Sequence, residues 1–83
     1  MTREECLTKR REHLELARKA KKAGNEAMEH WHWIFAANFG LLASNDPAKR
    51  ERGVAMLKKN SDRFERDVLH PELGEKLRAE DTH

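Results

Sequence analysis

A seam of mostly apolar positions recurs along this chain in alternating steps of three and four: His13, Ala17, Ala20, Gly24, Ala27, Trp31, Ile34, Asn38 and Leu41. A second seam beside it reads Met28, His32, Phe35, Phe39 and Leu42. This spacing is that of one face of an α-helix, and the face widens toward its C-terminal half. Thr2 followed by Glu5 has the form of a capping box, and no proline intervenes before Pro47. The pattern therefore predicts a long helix over about 3–43. Lys21 and Lys22 before Gly24 and Asn25 are stop and start signals, so a bend or a break at 24–25 is the open alternative. The seam keeps its register through Gly24, which favours the continuous helix; a break would turn a helical hairpin into a three-helix bundle.

Ser44, Asn45, Asp46 and Pro47 mark the clearest boundary, a capping residue ahead of a proline suited to a first helical turn. A second, antiparallel helix is expected over about 47–69, with Val54, Leu57, Ser61, Phe64 and Val68 on its inner seam and Pro71 beyond its end. Residues 71–83 are expected to add a short helical tail, partly frayed and polar, to a single all-α domain spanning 1–83. A continuous first helix would run about 60 Å and the second about 35 Å. One cannot cover the other, so a self-associated, four-helix-type dimer is expected.

The stretch EHWHWIFAANFGLLA, residues 29–43, holds four of the five aromatic residues and is apolar around nearly its whole circumference. One partner helix buries one stripe only, so burial on several sides is implied. Trp31, Trp33, Ile34, Phe35, Phe39 and Leu42 are the expected dimer or partner interface, and Trp33 the residue left for a different protein, since tryptophan anchors binding hot spots. The small residues Ala17, Ala20, Ala23, Gly24 and Ala27 suit close approach of a neighbouring helix.

Composition changes this picture modestly. Charged residues make up 39% and apolar ones 37%, a balance of long helices rather than compact enzymes, and the clustering of the apolar residues argues against disorder. The formal net charge is +2, so no global field draws nucleic acid. Locally, residues 8–22 carry seven basic and two acidic side chains. Lys9, Arg10, Arg11, Arg18 and Lys22 are the residues of an alternative, nucleic-acid-binding reading. They lie mostly off the apolar seam, where pairs such as Glu5–Lys9 and Glu15–Lys19 are expected to solvate the face. One cysteine, Cys6, fits a reducing compartment. No secretory leader is read at the N-terminus, and residues 31–43 are too short for a membrane span of about 20. A cytoplasmic location without membrane contact is expected.

Chemical motifs are thin. Glu29 and His32 fit Glu-x-x-His, with Glu26 one turn earlier, the spacing of dimeric carboxylate bundles that bind metal; they are weak candidates, since the second helix adds no inward carboxylate. Arg63 and His70 share a spacing with some helical ribonucleases, a resemblance that covers nothing else. Residues 24–47 resemble one tetratricopeptide unit at Gly24, Asn25, Ala36, Ala43 and Pro47. Trp31 stands where that family has glycine and no second repeat follows, so its peptide-binding role is not carried over. No phosphate-cradling loop, zinc spacing or serine elbow is present. No cofactor and no catalysis are expected. The sequence points to a small adaptor, inhibitor or regulatory subunit, of the kind phages and plasmids encode, acting on itself and on another protein.

Overall fold

The computed structural model describes residues 1–72. Three α-helices follow one another: α1 Arg3–Lys22, α2 Glu26–Leu42 and α3 Pro47–Phe64, the last continued by a π-helical stretch Glu65–Leu69. The tail expected over 71–83 lies almost wholly outside the described residues.

The expected long helix is two helices. Gly24 adopts φ +74°, the left-handed conformation that glycine enters without steric cost. The Gly24 N–H bonds the Lys21 carbonyl at 3.1 Å and the Asn25 N–H bonds the Ala20 carbonyl at 2.9 Å, the paired bonds of a Schellman stop. Asn25 then caps α2, its side-chain oxygen accepting the Met28 N–H at 3.1 Å. An unbroken seam does not imply an unbroken helix. Two helices folded back on each other turn the same apolar face inward, so the period survives the turn.

The other boundaries follow their local chemistry. Thr2 accepts the Glu5 N–H at 3.1 Å, and its hydroxyl donates to the Glu5 carboxylate at 3.2 Å. That contact occupies Glu5, and Lys9 pairs instead with Glu12 at 3.5 Å. Asp46 accepts the Ala48 N–H at 3.0 Å, with Pro47 in the first turn of α3. At the far end the His70 N–H closes on the Glu65 carbonyl at 2.8 Å, a five-residue step, directly before Pro71.

α1 and α2 form an antiparallel hairpin, with Arg3 beside Ala43, Arg10 beside Gly40 and His13 beside His32. α3 folds back along another flank of α2, bringing Gly53 against Leu41 and Leu42, and Phe64 against Trp31. No Cα pair between α1 and α3 lies within 8 Å. The helices therefore form an open row with α2 in the middle, not a closed bundle.

The fully buried apolar residues are few and mostly small: Cys6, Ala17, Ala36, Phe39 and Ala43. Ala17 and Ala36 allow close helix approach. Of the other small residues expected to do so, Ala23, Gly24 and Ala27 are exposed because they flank the turn. On α3 the inward position is Gly53, where an added Cβ would stand 2.9 Å from the Leu41 Cβ and 3.0 Å from the Leu42 backbone nitrogen. Its neighbour Val54, expected inside, is 59% exposed. The helix turns its glycine rather than its valine toward α2, since only the glycine permits this separation.

Candidate functional site

Residues 31–43 supply most of the side chains at the centre of the row. Phe39 is 7% exposed and packs within the hairpin, its ring stacked on the His13 imidazole at 5.6 Å with 10° between planes. Phe35 bridges the two outer helices, with its ring 5.5 Å from His13 of α1 and 5.6 Å from Phe64 of α3. Trp31 meets Phe64 edge-on at 5.5 Å and 81°, the arrangement that aromatic quadrupoles favour. Trp31, Ile34, Phe35, Leu42 and Phe64 remain only half-buried. No described element closes over this aromatic face.

Trp33 lies two residues from Phe35, about 200° around the helix, and so on the opposite side of the row. It is 44% exposed, and its indole N–H donates to the Glu29 carboxylate at 3.3 Å. Ala37, one turn on, is exposed beside it. Its neighbour in sequence, Asn38, has only 1% exposure, and neither polar atom of its amide has a hydrogen-bond partner.

The sequence pairing of Glu29 with His32 does not form. Glu29 is engaged by Trp33, while His32 turns to α1 and places its Nδ1 3.0 Å from the Nδ1 of His13. The ring centres of the two histidines are 5.2 Å apart, close to the largest separation this nitrogen distance permits. The rings therefore meet head-on, as an N–H···N bond requires, with one ring donating and the other accepting. No group of three or more His, Cys, Asp or Glu side chains converges among the described residues. Burial pushes both imidazoles below the ordinary histidine range, and the neighbouring His32 lowers His13 further. His13 carries no motif in the sequence; only the hairpin brings it opposite His32.

The basic residues of α1 divide. Lys9 is paired with Glu12, and Arg11 donates to the Thr8 hydroxyl at 3.3 Å. Arg11, Arg18 and Lys22 share one exposed face of α1, within about 40° of one another. Arg10 points elsewhere, against Gly40 of α2. His70 borders a cleft with Asp62, Glu65 and Arg66 and not with Arg63; it is exposed and sits 3.7 Å from Glu72. Cys6 is a buried thiol, with Leu42 and Val54, at a cleft of about 600 Å³ between the starts of α1 and α3. No helix among the described residues is long and apolar enough to cross a membrane. Comparison with family models, curated proteins and solved structures yields no match.

Proposed function

We propose that this chain is a small helical binding module that self-associates through its aromatic face and docks another protein through Trp33. It acts as an adaptor, inhibitor or regulatory subunit. The observation that carries this reading is the open row: Trp31, Phe35 and Phe64 form one edge-to-face cluster that two flanking helices leave half-buried. Uncovered aromatic surface of this kind costs free energy in water, at roughly 25 cal/mol per Å² of apolar area. A second copy laid face to face restores the missing layer and gives a two-layer packing of six helices that a lone row lacks. Trp33, on the far side, stays available after that face is closed.

Light scattering on the full chain at micromolar concentration, with wild type beside Trp31→Ala and Trp33→Ala, tests the reading. Wild type and Trp33→Ala are expected to be dimers and Trp31→Ala a folded monomer. A stable wild-type monomer would overturn the self-association half. Retention of captured partner protein by Trp33→Ala would overturn the docking half.

A second reading, a basic helical regulator that binds nucleic acid, is favoured by the shared exposed face of Arg11, Arg18 and Lys22. It requires affinity that falls steeply with salt and is lost when these residues become Glu. A flat salt response removes it.

A further inference from the structure

A cleft of about 400 Å³ lies between the start of α1, the last turn of α2 and the turn into α3. Three cationic side chains border it, Arg3, Arg10 and Lys49, and no carboxylate among the described residues does. They come from two helices and converge only because the hairpin closes. Arg3 has one clear structural role, since its Nε donates to the Ala43 carbonyl at 3.0 Å. That places positive charge at the C-terminal end of α2, a helix with no basic residue in its own last turn. The Arg50 guanidinium serves the next carbonyl, Ser44, at 3.0 Å. Helix-end compensation therefore accounts for Arg3 and Arg50.

It does not account for Arg10 and Lys49. Neither makes a side-chain hydrogen bond or an ion pair among the described residues, and the two terminal nitrogens of Arg3 have no partner there either. Arg10 lies along Gly40, its Nε 3.5 Å from where a Cβ would stand. Three like charges gathered around one cleft repel one another, and an anion between them reverses the sign of that interaction. The Ser44 Oγ accepts the Asp46 N–H at 3.1 Å, which leaves its own proton to donate into the cleft. Leu7 and Leu41 form the apolar part of the wall.

We propose that this cleft binds a phosphate monoester dianion, with its oxygens received by Arg3, Arg10, Lys49 and the Ser44 hydroxyl and its carbon body against Leu7 and Leu41. Guanidinium forks match the oxygen edges of phosphate, and lysine adds a compact charge. A monoester is favoured over a polynucleotide backbone because the three cations border one cleft and do not run along a groove. The cations that could track a strand, Arg11, Arg18 and Lys22, lie about 100° away around α1. The site is independent of the aromatic face.

The test is an amide NMR titration of the full chain with phenyl phosphate, with inorganic phosphate, and with a short oligonucleotide lacking terminal phosphates. Saturable shifts are expected at Leu7, Arg10, Gly40, Ser44 and Lys49, with phenyl phosphate tighter than inorganic phosphate. The Arg10→Gln, Lys49→Gln double variant is expected to weaken phenyl phosphate about tenfold or more, with its spectrum otherwise preserved. Arg11→Gln with Arg18→Gln is expected to leave binding unchanged. Shifts that fail to saturate overturn the proposal, as does wild-type affinity in the Arg10, Lys49 variant. Binding of the oligonucleotide at these residues with phenyl phosphate silent overturns it equally.

Discussion

His13 and His32 face each other across the α1–α2 hairpin with their Nδ1 atoms 3.0 Å apart, a distance that accommodates one shared proton and not two. Each ring sits against Phe35 or Phe39, or beside a ring that does, so the second proton would enter partly apolar surroundings.

Stability should therefore depend on pH through this pair. Burial first, and for His13 its neighbour His32, hold both folded-state values below the unfolded histidine value of about 6.5. Glu12 opposes the shift at His13 and Lys9 reinforces it, and the net direction is downward. As pH falls below about 6.5 the unfolded chain takes up protons first, so stability is fully present above that pH and declines below it. Urea unfolding at pH 7.5 and pH 5.0 should show the loss. His32→Asn, which keeps a polar group at the Nδ1 position without the titration, should flatten the dependence. An unchanged slope in that variant would show that other groups carry it.

Gly24→Ala should destabilise the chain by about 1–2 kcal/mol, the cost of holding an L side chain at φ +74°. Nothing lies within 4 Å of the added methyl, so the effect is conformational and Gly24→Asn should recover part of it. Equal midpoints for Ala and Gly in chemical denaturation would mean that the turn rearranges without cost.

Gly53→Ala sets two effects against each other. Alanine gains about 1 kcal/mol of helix propensity over glycine. Its Cβ would stand 2.9 Å from the Leu41 Cβ and 3.0 Å from backbone, and overpacking of this kind costs about 1–3 kcal/mol. A net loss of about 1 kcal/mol is expected, seen as a lower thermal midpoint with retained helicity. A raised midpoint would show that α3 moves away from α2 freely.

Asn38→Leu should stabilise. The amide is 1% exposed with both polar atoms unpartnered, and a buried polar group without a partner costs about 1–3 kcal/mol. Leucine keeps the branching and removes the penalty. A gain of about 1 kcal/mol or more in urea is expected; a loss would show that the amide holds a hydrogen-bond partner in solution.

Helix edges set by local chemistry are legible in the sequence. Thr2 with Glu5 and Asp46 with Pro47 mark their boundaries through contacts a few residues apart, which a linear reading captures. At Gly24 the stop and start signals are also present, but the period of the seam, which a hairpin preserves, suggests continuity and competes with them. Several of the remaining differences follow from that one turn. With α1 and α2 drawn as one rod, His13 and His32 are 19 residues apart and cannot meet, nor can Arg10 reach Gly40. Glu29 and His32, joined by spacing alone, find other partners in Trp33 and His13. Val54 fits a seam by hydropathy, but the steric requirement at Gly53 sets the rotation of α3, and no hydropathy pattern encodes that.

The separation of α1 from α3 has a thermodynamic consequence. Each outer helix has a single neighbour, so the fold is a linear series of two interfaces rather than a ring, and stability is transmitted only between adjacent members. The α1–α2 interface is the more extensive. An opening that peels away α3 can thus leave the first hairpin standing, while a ligand held by Arg3, Arg10 and Lys49 ties α1 to the start of α3 and opposes that opening. The central helix is the shared wall of two half-structures, and without a ligand in the cleft it carries most of what one can sense of the other.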